Sequence, residues 1–380
     1  MTQEYDVIVA GVGGMGSAAT AHLAARGLRV LALEQHELGH GFGSSHGLTR
    51  IIRLAYFEDP SYVPLLRRAF ALWRELQEGL DEPLLHVTGG LDVGTAGSLV
   101  FEGSLHSCRE HGLPHEVLDA TALAARFPGW RPAANAMAVY QPDAGFLTPE
   151  RCIQAYAHRA RSMGADIRTG ERVLGYTAGG GRVQVRTDRG EYEAGQLVVT
   201  AGPWMSDLAP SLRPLLSPER QVLGWFEVAD RASFAPGAFP VFVLEADEGT
   251  YYGFPEYGVP GFKIGRYHHL HEHVHPDTID RACHPRDEAA LREAVSRYFP
   301  AANGALRSSA ACMFTNTPDE HFIIDRSPDA PEVLLVSPCS GHGFKMSSVI
   351  GEICADLVQH GRTPHDIGLF RLARFADRAP

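Results

Sequence analysis

The first 34 residues constrain this chain most. An apolar run, Tyr5-Asp6-Val7-Ile8-Val9-Ala10, enters the turn Gly11-Val12-Gly13-Gly14-Met15-Gly16 and a helix-like segment through Arg26; a second apolar run, Leu28 to Leu33, ends at the acid Glu34. Strand, glycines, helix, strand and acid stand in the order of a dinucleotide-binding βαβ unit. Gly11 permits the tight turn, Gly13 lets backbone approach a pyrophosphate, and Gly16 lets helix and strand pack closely, while the helix N-terminus offers amides to the anion. Glu34 can accept hydrogen bonds from ribose hydroxyls. Lone glycine triplets are weak signals, and a glycine turn in a buried core is the plain alternative.

Bulk composition narrows the rest. With 380 residues, 44% of them hydrophobic, the chain can bury a large core, and its length favours about two domains. Thirty-four Lys and Arg face 45 Asp and Glu, a net charge of -11 that disfavours nucleic acid and anionic membranes, so an anionic substrate needs a local positive site. The start resembles no secretory leader and no apolar run reaches membrane-spanning length, which makes a cytoplasmic enzyme the expectation. Six scattered cysteines (Cys108, Cys152, Cys283, Cys312, Cys339, Cys354), none in a CxxC pair, argue against a disulfide framework or structural zinc. His268, His269, His271, His273 and His275 cluster, but without neighbouring cysteine they read as a solvated loop, and no metal is expected.

Periodicity gives a coarse plan. Helices are expected over Pro60 to Glu78, about Thr148 to Ser162, Glu288 to Tyr298 and Met346 to Val358. Strand-like runs lie at Leu85 to Val93, around Arg172-Val173-Leu174 and Arg182 to Val185, at Gln196 to Ala201, which ends in the ligand-facing turn Gly202-Pro203-Trp204, and at several places between Arg220 and Thr317. A final strand, Val333 to Val336, feeds a second glycine turn, Ser340-Gly341-His342-Gly343-Phe344-Lys345, and then a helix. The chain is expected to pass between a nucleotide-binding domain (1–85, 146–216, 318–380) and a mostly antiparallel substrate domain (86–145, 217–317).

Four stretches together resemble the monomeric sarcosine oxidase and N-methyltryptophan oxidase family: the Asp6 to Glu34 unit, Gly43-Ser44-Ser45-His46-Gly47-Leu48-Thr49-Arg50-Ile51-Ile52-Arg53, Cys312-Met313-Phe314-Thr315 with Asp319 to Asp325, and Ser340 to Lys345. The resemblance implies an α/β (α+β two-domain) flavoprotein: a Rossmann-type FAD-binding domain beside a mostly antiparallel sheet substrate domain. It implies FAD attached through the Cys312 sulfur, and oxidation of small secondary amino acids by oxygen to an imine and hydrogen peroxide. It also implies a monomer with no nucleic-acid or membrane partner. Cofactor contacts are expected from Gly11, Gly13, Gly14, Met15, Gly16, Glu34, Gln35, Ser44, Ser45, His46, Arg50, Ile51, Val173, Thr200, Ala201, Gly202, Trp204, Cys312, Met313, Gly341, Gly343 and Lys345. Packing is the alternative for His46.

Arg53 and Lys345 match the pair that binds substrate carboxylate; a carboxylate leaving water needs charge-assisted hydrogen bonds, which a guanidinium fork and an ammonium supply. The plain alternative for Arg53 is a surface arginine on a helix. Lys263, inside the apolar run Phe262-Lys263-Ile264-Gly265, matches the lysine that lies over the flavin and aids its reaction with oxygen; an edge-strand lysine pointing to solvent is its alternative. Arg50 and Tyr252 complete the expected pocket, together with His268, or His269 in its place. Phe314 for a usual tyrosine and Val243 for a longer methionine imply room for amines bulkier than sarcosine. The rival readings are a flavin dehydrogenase or glycine-oxidase-like deaminase of the same fold, an NAD-dependent dehydrogenase, and a nucleotide sensor without catalysis.

Overall fold

In the computed structural model, which describes residues 5–378, the N-terminal run forms the strand Tyr5–Ala10 at the centre of an eight-stranded sheet. Parallel neighbours flank it: Val30–Leu33 on one side, with Val7 opposite Val30, and Glu191–Val199 on the other, with Ile8 opposite Leu197. Asp166–Arg168 extends one edge, and Ala330–Ser337 pairs in parallel with the C-terminal end of Glu191–Val199. These core strands are buried on both faces, which accounts for their unbroken apolar runs. The helix Gly14–Ala25 is apolar nearly all round because it is sandwiched between the sheet and the helices Pro149–Ser162 and Ser347–His360.

A second eight-stranded sheet, mostly antiparallel, runs in the order Leu306–Asn316, Ser217–Phe226, Phe262–Arg266, Gly249–Phe254, Val241–Ala246, Gly90–Thr95, Ala136–Gln141, Glu116–Asp119. Trp130, Phe239, Phe242, Phe262 and Phe299 fill one face of it, with Trp130 edge-on to Phe299 at 4.6 Å and Phe262 packed 4.7 Å from Phe299. The helix Pro285–Tyr298 is tied to this sheet by a buried ion pair: Arg220 donates to both Asp287 oxygens at 2.8 and 2.9 Å. His269 lies 3.0 Å from the same carboxylate with its side chain fully buried. At that position the solvated-loop expectation is corrected: a histidine next to a buried carboxylate has packed inward.

A third, three-stranded sheet was not expected: Arg50–Ile52, Gly145–Leu147 and Leu85–Val87. The single strand expected over Leu85 to Val93 is therefore two, in different sheets, divided at Gly89 with φ +74°. Helices Leu99–Glu110 and Ala120–Arg126 were also missed, while Tyr62–Gln77 carries the expected apolar stripe. Among the described residues no helix is long and apolar enough to cross a membrane.

The two terminal helices of the first domain meet at Gly351, where an added Cβ would stand 2.6 Å from the Ala18 backbone carbon. Backbone cannot yield as a side-chain tip can. Gly351→Ala is expected to lower stability by about 1–3 kcal/mol, as overpacking does, read as a lower denaturation midpoint at unchanged m-value.

Candidate functional site

The glycine turn is built as its spacing demands. Gly11 has φ +94°, and a Cβ there would sit 2.7 Å from the Thr200 carbonyl oxygen; a Cβ at Gly16 would fall 1.8 Å from the Gly11 carbonyl oxygen. Glu34 is buried: it accepts from the Val12 amide at 2.8 Å and the His36 amide at 3.0 Å. Burial alone would raise its pKa, but His40 and these amides hold it below the usual carboxylate range. Glu34 therefore braces the turn as an anion.

Above this turn opens a cleft of about 1050 Å3 at the C-terminal ends of the parallel strands. Of the residues singled out in the sequence, Gly11, Gly13, Gly14, Met15, Glu34, Gln35, Ser44, Ser45, Val173, Thr200, Ala201, Gly202 and Trp204 line it. Glu171, Arg172, Asp207, Ser337 and Cys339 line it too and were missed. Their signal was positional, since Ser337 ends a parallel strand and Glu171 and Arg172 follow another. The segment after the strand Phe262–Arg266 reaches across: Asp277 accepts from Trp204 Nε1 at 2.6 Å and from Arg172 at 3.1 Å, and Arg281 donates to the Gly41 and Phe42 carbonyls. The residues fit a flavin dinucleotide: a side-chain-free turn before a helix N-terminus, with Ser44 Oγ and Ser337 Oγ buried without partners.

A second cavity, about 580 Å3, lies between the two large sheets, and Arg50, Ile51, Arg53, Tyr252, Cys312, Gly341 and Lys345 come together on its walls. Cys312 joins the two spaces: its Sγ is 3.4 Å from Arg50 Nη2 and 3.7 Å from the carbonyl of Ser44, a residue of the first cleft. Burial alone would raise the Cys312 thiol, but His46 and Arg50 beside it bring it down to about 6, so the sulfur is largely thiolate at neutral pH.

Arg53 is no surface residue; it follows the short strand Arg50–Ile52 into the interior at 4% exposure. It donates to both Glu58 oxygens (2.8 and 3.0 Å) and to the Ala55 carbonyl, and lies between the Tyr56 and Phe57 rings at 4.6 and 4.5 Å. Burial opposes its charge, but Asp92 and Glu58 outweigh that and raise its pKa. Lys345 Nζ donates to the His342 carbonyl at 2.9 Å, and burial together with the nearby Arg53 charge pushes it down to about 7. Lys263 is likewise buried, in an internal strand rather than at an edge, and donates to Gly47 O (2.6 Å), Thr49 Oγ1 (2.7 Å) and Thr49 O (3.1 Å). Burial lowers its pKa well below the ordinary lysine value, while three acceptors match the three donors of an ammonium.

The histidine assignments are corrected. His268 turns away from the cavity at φ +49° and bridges Glu219 and Glu320, each at 2.9 Å; these hydrogen bonds raise it to about 10. His269 faces Asp287, and the residue on the cavity wall is Tyr267. Strand alternation holds the signal, because Lys263, Gly265 and Tyr267 fall on one face. The same alternation carries Met313 away from both cavities, between Cys312 and Phe314. Gly16, His46 and Gly343 stand behind the walls, Gly343 because a Cβ would meet the Pro338 carbonyl oxygen at 1.6 Å.

Known proteins match the chain from end to end. The model of the family described as FAD dependent oxidoreductase matches residues 6–357. Monomeric sarcosine oxidase of Bacillus sp. (strain NS-129) is 42% identical over 99% of this chain and 98% of its own. N-methyl-L-tryptophan oxidase of Escherichia coli O139:H28 is 36% identical over 98% of this chain and all of its own. Among solved structures, NikD, an unusual amino acid oxidase essential for nikkomycin biosynthesis, aligns with a TM-score of 0.82 at 26% identity, over 97% of this chain and 98% of that one.

The thiolate supplies a direct check. In flavin-free protein, alkylation of Cys312 by iodoacetamide should rise with pH through an inflection near 6, and His46→Ala should move that inflection upward. An inflection in the ordinary thiol range, near 8.5, would contradict the arrangement.

Proposed function

The chain belongs to the FAD dependent oxidoreductase family, and from that premise we propose that it oxidises small N-methyl and other secondary amino acids with oxygen, in the manner of sarcosine oxidase. One observation carries the reading: a cavity walled by two buried cations, Arg53 and Lys345, opens onto a lowered-pKa thiol that borders the dinucleotide cleft. The glycine turn and Cys312 would hold FAD, which would supply the redox chemistry: a hydride from the carbon beside the amine and the proton from its nitrogen reduce oxygen to hydrogen peroxide and leave an imine.

The residues of this chain do the positioning. Arg53 and Lys345 receive the substrate carboxylate by charge-assisted hydrogen bonds in a site shielded from water. Their positive charge also lowers the pKa of the amine on the same molecule, favouring the neutral form that can be oxidised. Tyr252, Tyr267, Phe254 and Phe314 enclose the reacting end. Lys263, held by Gly47 and Thr49 beside Arg50, keeps a donor group under the wall where negative charge develops during reaction with oxygen. Val243 and Phe314, neither bearing a hydroxyl, leave apolar room for a substituent larger than that of sarcosine.

Acid precipitation tests the tether: yellow colour staying with the protein pellet supports the Cys312 thioether, and colour released to the supernatant removes it. Peroxide release across sarcosine, N-methylalanine, proline and pipecolate tests the chemistry; turnover of sarcosine alone would exclude the roomier pocket. Lys345 adds a pH signature. A lysine with its pKa at about 7 is cationic below that pH and neutral above it, so kcat/KM should carry a falling alkaline limb near pH 7, which Lys345→Met should erase while lowering kcat/KM at pH 6.

A further inference from the structure

Behind Arg53 lies another, much smaller space, with room for about one water-sized group, that the reaction above does not use. It shares Ile51, Arg53 and Val243 with the substrate cavity, so a wall of three side chains divides the two. Gln141 and Asp92 also line it, 2% and 4% exposed, and each has one polar atom without a hydrogen-bond partner: Gln141 Nε2 and Asp92 Oδ1.

Their orientations are fixed by what their other atoms do. Gln141 Oε1 accepts from the Leu54 amide at 2.7 Å and the Ala55 amide at 3.0 Å, so the NH2 group is the end left over. Asp92 Oδ2 accepts from Ser104 Oγ at 2.8 Å, while Oδ1 stands 3.7 Å from Arg53 Nε, beyond hydrogen-bond range. A donor and an acceptor that border one small buried space are both satisfied by a single group able to accept and donate. A methyl group would satisfy neither, a carboxylate would be repelled by Asp92, and an ammonium could not accept from Gln141. A hydroxyl meets both requirements. Water can take the same place, and a substrate hydroxyl that displaces it reproduces its hydrogen bonds.

We propose that this chamber is a subsite for a side-chain hydroxyl, reached past Val243, and that the preferred substrates are N-methyl amino acids whose α-substituent ends in a hydroxyl group. This rests on the oxidase reading above and names the substrate class within it. The carboxylate at Arg53 would anchor the molecule on the wall common to both spaces, and the side chain would reach the space behind by displacing Val243.

The test compares isosteres by peroxide release: N-methylserine against N-methyl-2-aminobutyrate, and N-methylhomoserine against N-methylnorvaline. In at least one pair the hydroxylated member should show about tenfold or greater kcat/KM, since a site with unpaired polar groups rejects the analogue that cannot pair them. That ratio should fall towards one in Gln141→Leu, which removes the donor, and in Val243→Met, which adds bulk to the dividing wall. If Gln141→Leu does not fold, because Gln141 also holds two backbone amides, Val243→Met reads the same ratio. Ratios near one in both pairs, or a preference that survives these variants, would overturn the subsite. Sarcosine run alongside separates the two levels: its turnover with flat ratios overturns the subsite alone, and no peroxide from any N-methyl amino acid overturns the oxidase reading with it.

Discussion

A guanidinium withdrawn from water at Arg53 organises the centre of this molecule. An isolated charge there would be prohibitive, and the chain meets it with Glu58 on one side, Asp92 at 3.7 Å on another and two aromatic faces. Asp92 comes from the second sheet and Glu58 from the loop after the third, so one ion cluster fixes how these pieces meet. Removing either carboxylate leaves buried charge uncompensated, a change that typically costs about 3–5 kcal/mol. Glu58 takes both hydrogen bonds from one terminal nitrogen of Arg53, so the guanidinium is already paired.

The same electrostatic logic separates one cysteine from the rest. Burial pushes Cys108 and Cys354 up to about 12 and Cys339 up to about 11, which makes them inert thiols. Cys312 is as deeply buried but has His46 and Arg50 against it, and its pKa moves the other way. Reactivity here is a property of neighbours drawn from a distant stretch of chain. That explains why the residue type alone says so little.

What the sequence disclosed followed the range of the interactions involved. The glycine turn, its helix and Glu34 depend on contacts within 30 residues and could be read directly. Glu171, Arg172 and Ser337 reach the cleft because two strand ends converge there, a fact of topology without a local pattern. Tyr267 was legible and overlooked: counting histidines obscured the two-residue period that places it beside Lys263 and Gly265 on one face. Gln141 and Asp92 could not have been chosen, since a buried amide and a buried acid acquire meaning only when the space between them is seen. The break at Gly89, which sends neighbouring strands to different sheets, was likewise hidden inside a run that alternates well enough for one strand.

The bridge over the dinucleotide cleft has a mechanical corollary. Asp277 grips Trp204 and Arg172 of the cleft wall, and Arg281 grips the backbone at Gly41 and Phe42, so the segment after the strand Phe262–Arg266 is clasped to the cleft's rim by side chains alone. A dinucleotide seated below these clasps departs only after they have let go. A noncovalently held cofactor would dwell for as long as the clasps stay shut.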